Sequence, residues 1–347
     1  MSYTKSEEYQ KEIADQYKKR TVSFPKEEVK RVAADLGFSL SLEEIVEAKV
    51  GNMNATYLTD NYVIKITKNK SGSYLANKIV SDAFPDQPVV HVLAHDLSQK
   101  TPYEVLVMKK SLGIILQEDL PALDQKIIES LFSQVLDLVL KCFSIQAETF
   151  SPVANPEERQ ASFKDLQIMR VKEDVQKIRD AKLANEADIS KIESYFNLHA
   201  DVLNDKKPVL VHTDLHMGNI MHQGDSLTAI IDWDTAMYGP AYTSLPTLLG
   251  LINNPAQFVE GAPDYQKYKD LNFKYLLPIL KDKLSELFLD ESLLLKLNLY
   301  GIAEGLMWVS QNWSKKWNEE MIKNLVGKET PTNSESLKSS YYGKILT

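Results

Sequence analysis

Residues 209–234, VLVHTDLHMGNIMHQGDSLTAIIDWD, gather Asp214, Asp225, Asp232, Asp234, three histidines and Asn219 around short apolar runs. Residues 209–211 read as a buried strand and 212–218 as a loop. Residues 219–222 read as a second strand, 223–226 as a turn and 227–231 as the returning strand, with Asp232 just after it. The two arms match in length, so the hairpin returns Asp232 beside Asn219. Residues paired across antiparallel strands have Cα atoms about 4.5 to 5.5 Å apart. A carboxylate and an amide oxygen at that separation can share one hard cation, and an all-oxygen set favours magnesium. Asp214, in the preceding loop, lies close to this site without having to be a ligand. Asp225 reads as a turn residue, His222 as structural, His216 as a positioning residue and Trp233 as packing.

Working outward, 1–20 and 26–36 read as helices and 41–50 as a strand. The turn 51–54 follows, made of residues that tolerate unusual dihedrals. Residues 55–60 and 62–67 complete a three-stranded meander. A helix over 70–83 is stopped by Pro85 and Pro88, and 89–93 and 103–108 read as further strands. After Pro121 the pattern becomes helical, over 122–146, 157–182 and 186–204, and again from about 241 to 326. Strands followed by helices predict an α+β fold with two lobes, 1–109 and 110–347, joined near 109–113.

The chain has 347 residues, 44% hydrophobic and 25% charged, with a net charge of −8. That balance argues against a nucleic-acid partner, whose phosphates call for basic surface. The polar N-terminus lacks the apolar core of a secretion signal, and no run approaches the roughly 20 apolar residues that span a bilayer. The single cysteine, Cys142, cannot form an internal disulfide. A cytoplasmic protein, monomeric or homodimeric, is expected.

His212-x-Asp214-x-x-x-x-Asn219, with Gly218 before the Asn, followed by Ile230-Ile231-Asp232-Trp233-Asp234, closely resembles the signature of the aminoglycoside phosphotransferase and choline kinase-like family. The continuation Ala236-Met237-Tyr238-Gly239-Pro240-Ala241-Tyr242 is similar too. The resemblance implies a bilobal protein-kinase-like fold, with a small antiparallel-sheet lobe that binds nucleotide and a larger helical lobe for catalysis and substrate. It also implies ATP or GTP as phosphoryl donor, Mg²⁺, and a small-molecule hydroxyl acceptor, an antibiotic or a related sugar or amino alcohol. In this reading Asp214 accepts the acceptor's proton, and Asn219 and Asp232 hold magnesium. Lys65 grips the phosphates, and the turn with Gly51, Asn52, Ala55 and Thr56 covers them. The segment 106–113, through Met108, Lys109 and Lys110, lies along the adenine. Candidate acceptor residues are Asp234, Glu304 and Trp308, with Trp313, Trp317 and Asp264 beside them.

The chain departs from the family pattern at two places. Kinases pair the strand lysine with a glutamate on the next helix. The helix here has none; Asn77 lies near the expected place and Asp82 is its only carboxylate. Thr243-Ser244 stand where an aspartate usually braces the catalytic loop. Two rival readings remain at this level: a metal-dependent hydrolase using His212, Asp214, His216 and Asp232 on zinc or manganese, and a nucleotide-binding pseudokinase.

Overall fold

The structure is a computed structural model that describes residues 7–20, 23–48, 54–67, 73–96, 103–205, 207–262, 265–328 and 337–346. Two helices, α1 (Glu7–Arg20) and α2 (Lys26–Asp35), precede an antiparallel sheet. Its strands are β1 (Val46–Glu47), β2 (Ala55–Leu58), β3 (Tyr62–Thr67), β4 (Val92–Asp96) and β5 (Glu104–Lys109), in the order β1-β2-β3-β5-β4. Side chains alternate between the faces of a strand. Ile64, Ile66, Val105 and Val107 therefore enter one core with Val29, Val32 and Ala33 of α2. Leu106 and Met108 face the other way, into the larger core, with Ala76 and Val80 of α3 (Ser73–Ala83). Lys65, between Ile64 and Ile66 and opposite Leu106, is thereby set on the second face. Only 7% of it is exposed.

Two predicted strands change. The strand expected over 41–50 shrinks to Val46–Glu47. Ser41 Oγ accepts the Glu44 N–H at 3.3 Å while the Glu44 carboxylate accepts the Ser41 N–H. That reciprocal pair is the Ser-x-x-Glu capping pattern, and it bends the chain into a turn. The strand expected over 89–93 begins instead at Val92. Val89 makes a single parallel bridge to Ile230, and the Ile230 N–H donates to Pro88 O at 2.8 Å.

The helices start at side-chain caps. Asp124 accepts from the Lys126 N–H to open α4 (Gln125–Cys142), Ser162 from the Asp165 N–H to open α5 (Phe163–Asp180), and Asn185 from the Asp188 N–H to open α6 (Glu186–His199). Each satisfies a donor that the first helical turn leaves without a partner. The helical stretch expected from about 241 to 326 is interrupted. It comprises α7 (Leu245–Asn253), several short turns, α8 (Leu293–Ser310) and α9 (Lys315–Lys328). α8 buries Leu297, Leu299, Ile302, Leu306 and Val309. α1 packs away from the sheet: Tyr9 Oη donates to Glu260 Oε2 at 3.2 Å, and the Gly261 N–H to Gln10 Oε1 at 2.5 Å. Among the described residues no helix is long and apolar enough to cross a membrane.

Cys142 closes α4 inside the core, and burial pushes its thiol up to about 12. Thiolate, not thiol, reacts. The native protein is therefore expected to resist an aromatic disulfide reagent at pH 8, with the thiol released at a rate set by unfolding. Rapid stoichiometric labelling without denaturant would contradict its placement.

Candidate active site

β6 (Val209–Val211) leads into the loop 212–218, and β7 (Ile220–Gln223) and β8 (Ser226–Ile230) form the predicted hairpin. Gly224 supplies the positive φ of 62° that its turn requires. Ile220 pairs with Ile230, and the Ile231 N–H donates to Asn219 O at 2.9 Å. Asn219 thus faces Ile231, so Asp232 lies one residue beyond the register expected for it. The chain turns there: Asp232 has φ 59° and ψ 59°, a left-handed conformation that a short polar side chain tolerates best.

His212 ties the loop to the hairpin. Its Nε2–H donates to Ile231 O at 2.9 Å, and its Nδ1 accepts the Asp214 N–H at 3.2 Å. Burial lowers its pKa below the ordinary histidine value, which fits a neutral ring with the proton on Nε2. Trp233 packs with a ring centroid 4.5 Å from that of His212 and donates from Nε1 to Ile230 O at 3.0 Å. Asn219 donates from Nδ2 to Asp214 O at 2.7 Å and sits 3.4 Å from Asp214 Oδ2. Neither contact uses its side-chain oxygen. His216 Nδ1 accepts the Gly218 N–H at 3.0 Å, and its Nε2 lies 3.3 Å from Asn219 Nδ2 and 3.7 Å from Asp214 Oδ2. The His216 ring stacks on Phe258, centroids 5.0 Å apart.

The sheet meets the hairpin through Lys65. Its Nζ donates to Asp232 Oδ1 at 2.8 Å and to Asp234 Oδ2 at 2.5 Å. Asn54 Nδ2 donates to Asp234 Oδ2 at 2.9 Å and Asn77 Nδ2 to Asp234 Oδ1 at 3.3 Å. Burial opposes the Lys65 charge, but the two carboxylates outweigh it and its pKa stands above the ordinary lysine value. Burial likewise opposes the Asp232 charge, and Lys65 outweighs it, so its pKa falls. At Asp234 burial wins, helped by the like charge of Asp232, and its pKa rises despite Lys65. Asp232 keeps 46% of its side chain exposed, against 19% for Asp234. Asp232 is therefore the more open of the two carboxylates.

A family model described as a phosphotransferase enzyme family matches residues 51–266, more than half of the chain. The protein belongs to the phosphotransferase enzyme family. Membership makes it an ATP-dependent phosphotransferase acting on hydroxyl groups. Solved structures share its kinase-like fold. A thermostable mutant of the aminoglycoside phosphotransferase APH(4)-Ia, in ternary complex with AMP-PNP and hygromycin B, superposes with a TM-score of 0.60 at 15% identity, over 88% of this chain and 99% of that one. The gentamicin complex of APH(2")-IIa gives 0.60 at 15% identity, over 91% and 99%. The GDP and kanamycin complex of APH(2")-IIia gives 0.60 at 16%, over 88% and 99%. Comparison with curated protein sequences gave no match.

Within this phosphotransferase, the structure joins Lys65, Asp232 and Asp234, and separately Asp214 and Asn219 in one loop. Asp234, expected at the acceptor, is bonded to Lys65, Asn54 and Asn77. Thr56 lies opposite Lys65 on β2, whereas the Ala55 side chain enters the core behind the sheet. Gly51, Asn52 and Asp264 lie outside the described residues. Met108 is buried. The Lys109 N–H donates to His91 O and the Lys110 N–H to Asn61 O, both at 2.9 Å. Those two N–H donors are thus engaged within the protein.

Glu304 and Trp308 sit four residues apart on α8, hence on one helix face. Burial raises the Glu304 carboxyl above its ordinary value despite Arg170 and the Tyr300 hydroxyl, and the charges of Asp214 and Asp174 add to the rise. That coupling sets Glu304 within electrostatic reach of Asp214. Thr243 and Ser244 do not brace the loop; their hydroxyls donate to Pro240 O and Ala241 O in their own turn. Thr213 Oγ1, donating to Thr235 O at 2.8 Å, and Thr247 Oγ1, donating to Thr213 O at 3.4 Å, hold it instead.

Gly218 offers a direct check on the loop. A Cβ there would stand 2.7 Å from His216 Cε1 and 2.9 Å from Gln117 Oε1. Gly218→Ala should push the His216 ring off its place beside Asp214 and lower kcat about 10- to 100-fold, with nucleotide affinity little changed. A wild-type kcat in that variant would show that the ring does not position Asp214.

Proposed function

We propose that the protein transfers the γ-phosphate of ATP to a hydroxyl of a small acceptor that carries amino groups, an aminoglycoside-like antibiotic or a related amino alcohol. The observation that carries this reading is the meeting of Lys65 with Asp232, 167 residues away in sequence, at 2.8 Å. The catalytic loop with Asp214 is hydrogen-bonded to the same hairpin.

The donor set fits magnesium. Asp232 presents an accessible carboxylate and Asn219 an amide oxygen, while phosphates and water complete such a site. A cation held by these two residues would neutralise charge on the phosphates. Lys65 supplies positive charge to the phosphates, and Thr56 opposite it leaves room for them. Asp214 orients the acceptor hydroxyl and takes its proton. Glu304 and Trp308 line the acceptor side, an acid and a flat aromatic suited to an amine-bearing ring. We take 1–109 and 110–347 as the two lobes, with α1 reaching from the first onto the second. A cytoplasmic monomer or homodimer fits the buried, unpaired Cys142.

The hydrolase reading needs histidine nitrogens for its metal. Both nitrogens of His212 are engaged, by Ile231 O and the Asp214 N–H, and His216 Nδ1 is taken by the Gly218 N–H. Among the described residues no three His, Cys, Asp or Glu side chains are placed to hold a metal ion.

The test is phosphoryl transfer from radiolabelled ATP, with GTP as competitor, to a panel of aminoglycosides, macrolides, choline and small sugars. Labelled aminoglycoside or amino alcohol is expected. Label on a neutral sugar alone would overturn the acceptor class. Tightly bound zinc with no label anywhere would favour the hydrolase, and ATP binding with neither label nor slow hydrolysis the pseudokinase.

A further inference from the structure

Lys65 needs a fixed carboxylate, and α3 does not provide one. Asp82, the helix's acidic residue, is paired with Lys78 on the exposed side, with 60% of its side chain in solvent. A lysine ammonium on four methylenes has many rotamers, so without a partner it points at phosphate only part of the time. Of its two carboxylate contacts, Asp232 is the more exposed and is the proposed magnesium ligand, which leaves Lys65 with Asp234 once the ion binds.

Asp234 is built for that duty. Its Oδ2 takes Lys65 Nζ at 2.5 Å and Asn54 Nδ2 at 2.9 Å, and its Oδ1 takes Asn77 Nδ2 at 3.3 Å. Asn77 is 1% exposed and stands on α3 near the place where the usual glutamate would be. Asn54 is itself fixed, its Oδ1 accepting from Thr67 Oγ1 at 3.0 Å. Thr67 lies two residues along β3, on the same face as Lys65. α3 is anchored in turn by Glu104, whose Oε1 accepts the Tyr74 N–H at 2.9 Å.

We infer that Asp234 is the positioning residue for Lys65, and that the helix glutamate of other kinases has been replaced by two parts: a neutral Asn77 on α3 and a carboxylate supplied from two residues beyond the metal-binding aspartate. The inference rests on the kinase reading above. The lysine then answers to α3 indirectly, through the Asn77–Asp234 hydrogen bond.

The test moves the carboxylate back to the helix. Asp234→Asn, Asn77→Glu and the double variant are compared for the Kd of a fluorescent ATP analogue with magnesium, for KM(ATP) against kcat, and for the magnesium concentration giving half-maximal binding. Asp234→Asn should raise Kd and KM(ATP) about tenfold, the loss of one charge-assisted hydrogen bond, while the magnesium requirement stays put. Asn77→Glu added to Asp234→Asn should restore most of that loss. If Asp234→Asn does not fold, as read by circular dichroism, Asn77→Ala carries the test, and KM(ATP) should rise about threefold. An unchanged Kd in Asp234→Asn, or in Asn77→Ala when that variant must stand in, overturns the inference. So does a shift confined to the magnesium requirement with no rescue by Asn77→Glu, which would make Asp234 a metal ligand. Wild-type protein that bound no magnesium–nucleotide analogue would sink the kinase reading itself and this inference with it.

Discussion

Asp214→Asn is expected to lower kcat by about 10²- to 10⁴-fold, the usual contribution of a positioned general base. Its affinity for magnesium–ATP should stay near that of the wild type. The substitution keeps the scaffold. The residue's N–H still donates to His212 Nδ1, and its carbonyl still accepts from Asn219 Nδ2, because both are backbone groups. What disappears is the negative charge facing the acceptor hydroxyl and the site that takes its proton. A carboxylate is a weak base in water, but phosphoryl transfer passes through a loose transition state, so the hydroxyl gives up its proton late. The measurement is single-turnover transfer to the best acceptor from the screen, with nucleotide binding followed in parallel. A rate equal to that of the wild type would falsify the assignment and direct attention to Glu304, the carboxylate electrostatically coupled to Asp214.

Asp232→Ala acts on the other half of the reaction. Removing a charged oxygen from a site with two protein ligands should weaken magnesium–nucleotide binding on the order of 10²-fold. The lysine is not stranded, because Asp234 Oδ2 remains 2.5 Å from it. Affinity for the metal-free nucleotide should hold or rise, since a negative group facing the phosphates has gone. Calorimetric titration with and without magnesium separates the two. An equal loss under both conditions would mean that the variant had damaged the cleft and that Asp232 does not hold the ion.

The catalytic hairpin was legible because its information is local. Two apolar arms around Gly224 place the register to within one residue; what the pattern does not show is the bulge at Thr228, between the Leu227–His222 and Ala229–Met221 pairs. The face of Lys65 was legible for the same reason: alternation along β3 needs no distant partner. The turn at Ser41–Glu44 could have been read from its Ser-x-x-Glu spacing, but the apolar residues around it suggested a strand. The late start of β4 was hidden because Pro88 O is bonded to Ile230, far off in sequence. The bonds of Asp234 were hidden on similar grounds. Its three partners come from β3, α3 and the residue just before β2, and no spacing within residues 230–234 records them.

The bond from the Ile230 N–H to Pro88 O has a mechanical consequence. It stitches the returning arm of the hairpin to the segment that feeds β4, two residues upstream of Asp232. Lys65 and Asp232 form a second stitch nearby. The sheet and the hairpin can then part only by breaking these contacts or by turning about them.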